Sequence, residues 1–297
     1  MNSRILALLA ATTASTIYGI NHTIAKGLMP DVIGPYGFIL LRVSGAAAIF
    51  WILSLFYTSE KIERKDIFRF ILCAAFGMVI NMNMFFKGLE LSTPINSSVV
   101  ITLSPVLLLI LSAFILKEKI TWLKALGIGI GLIGALVLIL FGAKSQPNAP
   151  NIPLGNLLFI VNATSYALYL IFVKPLVAKY SAITLMKFFF LIAFFMNLPI
   201  GLSQFSEVTW FSLGFDDIWK LAFVVVGTTV LTYLLNIYAL KQLSPSVIGV
   251  FMYLQPLIAT LFAIFAGADS LTPLRILAAV LIFGGVFLST RKKKVAA

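Results

Sequence analysis

Ser15, Tyr18 and His22 fall at i, i+3 and i+7, one helical face, with Asn21 beside them; Asn162, Tyr166 and Tyr169 form a similar face later in the chain. Asn81, Phe85 and Gly88 share a third face, and Thr229, Tyr233 and Asn236 a fourth. Phenol rings and carboxamides in apolar surroundings suit a small amphipathic solute, because rings cover its apolar parts and amides orient its polar ones. For any single one of these residues a hydrogen bond between helices is an equal alternative. Three ionisable groups stand deep in apolar sequence: His22, already named, with Arg42 and Lys187. What is absent narrows the chemistry. All ten carboxylates fall in polar segments or near the ends of apolar ones, and no paired acid, His cluster or Cys cluster offers a hydrolytic or metal site. No cofactor or metal is expected. An enzyme acting on a lipid or small metabolite inside a membrane is the alternative from another class, and it has few parts to work with.

The medium that positions these residues follows from composition. With 61% apolar and 11% charged residues, and a mean hydropathy of +1.06, the 297 residues have too little polar surface for a globule in water. The solvent is a bilayer, crossed by helices of roughly 20 apolar residues each. Breaks at charged, Pro and Gly clusters predict ten spans: 5–27, 35–57, 67–90, 95–116, 121–141, 154–174, 182–204, 219–240, 245–266 and 272–290. Barrel strands would instead alternate over about 10 residues. The lone Cys73 cannot form an intramolecular disulfide. The net charge of +12 would suggest nucleic acid in a soluble protein, but here it is spread over short loops and the run Arg291-Lys292-Lys293-Lys294. No nucleic-acid partner is expected.

That charge orients the chain. Arg4, Lys61, Arg64, Lys65, Arg69, Lys117, Lys119, Lys124, Lys174, Lys179, Lys241 and the four terminal cations fall on one side, against Lys26, Lys87, Lys144, Lys220 and Arg275 on the other. Cytoplasmic loops retain Lys and Arg, so a bias of fifteen to five puts both termini in the cytoplasm of a multi-pass cell-membrane protein. Charge inside the spans costs on the order of 2.5–3.5 kcal/mol on insertion scales, which makes its occurrence a pointer to function. Arg42 and Lys187, one near each face, could attract a carboxylate, or could snorkel to headgroup phosphates. His22 alone among in-span groups has an ordinary pKa near neutrality, about 6.5. Either protons couple through it or the solute crosses without a proton; with no acid at depth, the second is expected.

The chain is also internally duplicated. Thr93-Pro94 with Pro105 recurs as Ser244-Pro245 with Pro256, at a constant offset of 151 (245 − 94 and 256 − 105). Glu118 meets Asp269, Thr121 meets Thr272 and Lys124 meets Arg275 at the same offset, while Tyr18 and Lys26 meet Tyr166 and Lys174 at 148 (166 − 18). Five spans per copy place the second copy upside down relative to the first. The reading is an all-α membrane protein of ten transmembrane helices in two inverted five-helix repeats: 1–143, an extracytoplasmic linker at 144–153, 154–290, and a basic tail at 291–297. Pro105 and Pro256 remove a backbone donor and leave the carbonyls of Ile101 and Met252 without helical partners. Ser104 and Gln255 precede them, so the two fourth helices are expected to break around a shared cavity, a packing kink being the alternative.

Two motifs mislead. Met1-Asn2-Ser3-Arg4 before an apolar stretch looks like a signal peptide, but Tyr18 and Lys26 have repeat partners within the sixth span. Gly129-Ile130-Gly131-Leu132-Ile133-Gly134 matches a dinucleotide fingerprint without the strand that must precede it, and reads as close helix packing.

With Thr93-Pro94, Pro105 and Glu118 answered by Ser244-Pro245, Pro256 and Asp269, the chain resembles the EamA family of the drug/metabolite transporter superfamily over nearly all its length. The resemblance implies a secondary transporter, often an exporter of amino acids or related metabolites, with a cavity between the repeats. Its substrate site is expected to draw on Tyr18, Asn21, His22, Arg42, Asn81, Tyr166, Tyr169, Lys187, Tyr233, Asn236 and Gln255. A small amphipathic or zwitterionic solute and the bilayer are the expected partners.

Overall fold

Most helix starts in this chain coincide with prolines or capping side chains, which excuse or satisfy the donors left over in a first turn. The structure is a computed structural model and describes residues 3–29, 31–58, 60–92, 102–142, 151–265 and 273–290. Ten helices follow in order among them. They are α1 (Ser3–Lys26), α2 (Pro35–Ser54), α3 (Ile67–Ala74, running through Ala75–Ile80 into Asn81–Leu91), α4 (Ser104–Ile115) and α5 (Trp122–Gly142). Then come α6 (Ile152–Val177), α7 (Ala182–Ser206), α8 (Phe215–Ala222, running through Phe223–Leu231 into Thr232–Gln242), α9 (Pro245–Phe251, then Leu254–Phe265) and α10 (Pro273–Thr290). Pro35 and Pro245 sit in first turns, and Asn151 and Ser181 accept from the Leu154 and Thr184 N–H groups at 3.2 Å each. The start of α2 is capped by another helix: Gln204 Oε1 of α7 accepts from the Tyr36 and Gly37 N–H groups at 2.7 and 3.1 Å.

By length and composition α1, α2, α3, α6, α7 and α8 each contain a stretch able to cross a membrane, and the other four contribute shorter apolar stretches. The ten expected spans fit this order. Pro94, the first part of the span expected at 95–116, linker residues 144–150, Asp269 and the tail 291–297 lie outside the described residues, as do the side chains of His22, Lys26 and Arg275. Apolar side chains cover the outside as well as the inside: Phe114, Leu157, Phe195 and Val280 are exposed, while Phe38, Phe50, Phe159 and Phe189 are buried. Lipid tolerates that distribution and water does not.

The main packing pairs are α2 with α7, α5 with α10, α1 with α8 and α3 with α6. α2 and α7 run antiparallel, because Gly37 near the start of α2 abuts Gln204 near the end of α7, while Phe50 near the end of α2 stacks on Phe190 near the start of α7 at 5.6 Å. Buried amides fasten α7 to α3, with Asn83 Nδ2 donating to Asn197 Oδ1 at 2.7 Å. α5 and α10 are also antiparallel. A Cβ on Gly127 would stand 2.7 Å from the Gly285 carbonyl oxygen, and one on Gly134 would stand 3.0 Å from that of Ala278. Gly131 backs onto the Tyr253 ring, whereas Gly129 meets nothing within 4 Å. The glycine run is therefore a helix-packing surface, as small residues in membrane helices commonly are.

α9 is interrupted at Met252 and Tyr253, whose N–H groups bond back to the Gly249 and Val250 carbonyls at 3.0 and 3.1 Å. One expectation is corrected here. The Met252 carbonyl does not lack a partner, because the chain tightens and the Gln255 N–H reaches it at 3.1 Å, replacing the donor that Pro256 removes. Pro105 lies in the first turn of α4, and Ile101 is outside the described residues.

The α4–α5 turn, where Lys117 has a φ of 53°, is tied to the start of α9. Glu118 pairs with Lys124 and accepts from Ser246 Oγ at 2.6 Å, and Lys124 Nζ reaches Ser244 Oγ at 3.3 Å. Burial disfavours the Glu118 carboxylate, but hydrogen bonds from Lys124, Ser246 and Ser244 outweigh it and hold its pKa below the ordinary value.

Two outcomes follow for the purified protein in detergent. Gly127→Ala is expected to lower unfolding stability by about 1–3 kcal/mol, as overfilling a close contact does, while Gly129→Ala leaves it unchanged or raises it by up to about 1 kcal/mol through helix propensity. Equal losses at both sites would contradict the packing role. Glu118→Gln is expected to cost about 1–3 kcal/mol near neutral pH. Because the folded pKa is depressed, that contribution is present above the unfolded value of about 4.3 and is lost as pH falls through the folded one, so the gap between wild type and variant should close in acid. A gap that persists undiminished at about pH 3 rules out the ionised carboxylate as its source.

Candidate functional site

A cavity of about 120 Å³ is walled by seven helices: Tyr18 and Asn21 from α1, Arg42 from α2, Asn81, Met82, Phe85 and Phe86 from α3, and Ser104 from α4. Asn162, Ala163 and Tyr166 of α6, Thr228 and Tyr233 of α8, and Met252 and Gln255 at the break in α9 complete it. Two of the walls owe their shape to π-helical turns, Ala75–Ile80 in α3 and Phe223–Leu231 in α8, in which bonds run to the fifth residue and the helix is locally wider. In α8 Thr229 Oγ1 donates to the Val224 carbonyl, five residues back, at 2.8 Å. Its oxygen then accepts from Arg42 Nε at 3.0 Å. In α3 the Gly77 carbonyl takes the Tyr233 hydroxyl at 2.9 Å and the Phe76 carbonyl takes Ser165 Oγ at 2.7 Å.

The polar walls are fixed in pairs. Asn81 Nδ2 donates to the Asn162 carbonyl at 3.3 Å and Asn162 Nδ2 returns a bond to the Asn81 carbonyl at 2.7 Å, joining α3 to α6. Thr228 Oγ1 donates to Asn21 Oδ1 at 3.0 Å, and the Tyr18 hydroxyl stands 3.0 Å from Thr232 Oγ1, joining α1 to α8. Arg42, 6% exposed, is the one charged side chain in the described lining, and its Cζ lies 5.9 Å from the centre of the Phe86 ring. Among the described residues no group of three His, Cys, Asp or Glu side chains could hold a metal.

Seven of the expected site residues meet at this cavity: Tyr18, Asn21, Arg42, Asn81, Tyr166, Tyr233 and Gln255. Three do not. Tyr169 shares the helical face of Tyr166 but is 1% exposed, pressed onto Gly77, where a Cβ would stand 2.6 Å from its ring. Asn236 sits behind the wall and donates to the Tyr166 hydroxyl at 3.2 Å, which orients a lining residue instead of lining the cavity itself. Lys187 lies on the α2–α7 seam with its ammonium 5.0 Å from both the Trp51 and Phe188 ring centres; aromatic faces, not the cavity, satisfy that charge. The side chain of His22 is outside the described residues, so its place in the site stays an expectation.

Sequence periodicity missed Met82, Phe86, Thr228 and Met252. Thr228 shows why: it precedes Tyr233 by five residues, off the face in a 3.6-residue helix, and the π-helical turn brings both to one wall. Met82 and Phe86 are each adjacent to an expected face residue, and a cavity reached by adjacent positions takes in a wider arc than one stripe.

Comparison with known proteins gives this geometry a family. The transporter YetK of Bacillus subtilis, described as uncharacterized, is 26% identical over 292 residues, 97% of this chain and 88% of its own. An S-adenosylmethionine uptake transporter of Rickettsia bellii is 24% identical over 63% of this chain and 60% of its own. A solved crystal structure of 20% identity shares the fold with a TM-score of 0.80, over 96% of each chain. The family model for EamA-like transporters matches twice, at residues 5–140 and 153–291. On those two matches, which span almost the whole sequence, the chain belongs to the EamA-like transporter family.

Proposed function

We propose that this transporter is an alternating-access carrier of small amphipathic metabolites, of the class of amino acids and related compounds, and that it works as an exporter in the cell membrane. Its two halves, 1–143 and 154–290, are inverted five-helix repeats joined by an extracytoplasmic linker at 144–153, with both termini in the cytoplasm. The observation that carries the reading is the pairing of duplicated helices. α2 and α7 stand at the same place in the two copies, as do α5 and α10, and each pair packs antiparallel. Partners related by duplication and opposed in direction are what an axis in the membrane plane produces. The twofold family match supports the same division.

The cavity lies between the halves, taking α1–α4 from one and α6, α8 and α9 from the other. Solute bound there touches both, so rocking one half against the other can expose it to either face in turn. In the proposed orientation Glu118, Lys124 and Ser246 close the cytoplasmic end by tying one half to the other. The same charge pair recurs in sequence as Asp269 and Arg275 at the opposite end. Exchange of solute without a proton fits a described lining that has no carboxylate.

Counterflow in proteoliposomes loaded in turn with amino acids, nucleosides and organic acids is expected to reveal a saturable solute. Tyr18→Ala, Tyr166→Ala, Asn81→Ala and Gln255→Ala should each reduce that flux by about fivefold or more at matched protein level, the scale of losing a contact worth over 1 kcal/mol. Unaltered flux in all four variants removes the cavity as the transport site, and single-channel currents in place of counterflow argue for a pore. Orientation is tested separately. Reporters after Lys294 and within 60–66 should read cytoplasm and one within 145–151 the outside; periplasmic activity at the C-terminus would overturn the inverted arrangement.

A further inference from the structure

Within the amphipathic metabolites proposed above, the geometry points to a related compound and not to an amino acid itself: a small organic carboxylate carrying one negative charge and no ammonium. The assignment rests on the carrier reading for the site's use in transport, and on the cavity alone for binding. Arg42 is more than nine-tenths buried, and only its Nε is committed, to Thr229; among the described residues the two terminal amino groups have no acceptor. A guanidinium held this way is half of a pair, since an unpaired charge in a site shielded from water is costly and a planar carboxylate accepts two of its N–H groups at once.

Two further features can receive an anion. Ser104 Oγ, in its wall, is buried without a hydrogen-bond partner and is able to donate to an acceptor placed there. Ser104 and Gln255 also stand in the first turns of two twelve-residue helices, Ser104–Ile115 and Leu254–Phe265, whose N-terminal ends carry partial positive charge. No negative charge among the described lining residues balances this. The described lining has no carboxylate, so the ammonium of a zwitterion would meet like charge and find no counter-ion. One cation in the described lining calls for one negative charge.

Size and wall chemistry set the rest. At about 120 Å³ the cavity is close to the roughly 150 Å³ that accommodates benzene in an engineered protein core, so the apolar body is of the order of one ring or a short chain. Tyr18, Phe85, Phe86 and Tyr166 provide its flat surfaces.

A set of compounds sharing one body and differing in charge tests the assignment: 3-phenylpropionate, phenylalanine, 2-phenylethylamine and 3-phenylpropanol, each titrated against the thermal unfolding of the purified full-length protein at neutral pH. 3-Phenylpropionate is expected to stabilise saturably, at concentrations at least about tenfold below those phenylalanine needs, the low end of what a hydrogen bond to a charged group is worth. The amine and the alcohol should have little effect. Arg42→Gln should erase the advantage of the anion and Arg42→Lys should keep part of it. Phenylalanine acting as well as 3-phenylpropionate, acetate or chloride acting as well, or no response to the anion overturns the assignment, whether or not the variants fold. Counterflow in sealed vesicles separates the two readings. Stabilisation by 3-phenylpropionate without counterflow leaves the anion site standing and defeats the carrier, whereas counterflow of phenylalanine alone leaves the carrier and defeats the anion.

Discussion

Hydrocarbon offers no hydrogen bonds, so every polar group placed within it must be answered by another part of the same chain or by a cavity. That constraint organises the protein. Asn81 and Asn162 answer one another's backbone, Asn83 meets Asn197, and Tyr233 closes on Gly77. Each bond joins two helices, so the groups that make the site polar also hold its walls in register. The cavity is not carved from an apolar bundle as an afterthought, because removing the polar lining residues Asn81, Asn162 and Tyr233 would also remove fastening between α3, α6 and α8.

The fold was largely legible because membrane spans are long, apolar and bounded by charge; helix ends such as Pro35, Ala182 and Pro245 fall where the sequence reading puts them. Much of the site was legible too, since an Asn, Tyr or Arg in apolar sequence is conspicuous. What periodicity could not give was depth and direction. Tyr169 and Tyr166 share a face, yet one lies beneath the wall and the other in it. Arg42 and Lys187 read alike as isolated cations, and only the packing of α2 on α7 shows that Trp51 and Phe188 occupy Lys187. The π-helical turns were invisible for a further reason. Their bonds depend on a carbonyl finding a partner elsewhere, and nothing in the local sequence of Phe223–Leu231 says that Val224 will take the Thr229 hydroxyl.

Close approach without side chains is the second means of assembly. Among the described residues no polar fastening comparable to that between α3 and α6 joins α5 to α10; Gly127, Gly134 and Gly285 let backbones touch instead. The contact depends on shape, so it tolerates no added carbon where the partner helix is nearest and accepts one at Gly129. Shape-based seams and hydrogen-bonded seams differ in how they yield. Packed glycine faces can slide by small steps, whereas paired amides either hold or break.

The burial of Arg42 has an electrical side. A charge held within the span lies inside the field of an energised membrane, where about 2.3 kcal/mol acts on each elementary charge moved across 100 mV. With its cavity empty, the protein presents that charge uncompensated; with an anion on the guanidinium, the occupied site is neutral. In the proposed cycle, voltage would bear on the return of the empty carrier and hardly on the loaded one, so that the polarity of the cell, without any further ion being co-transported, would set which half of the cycle limits its speed.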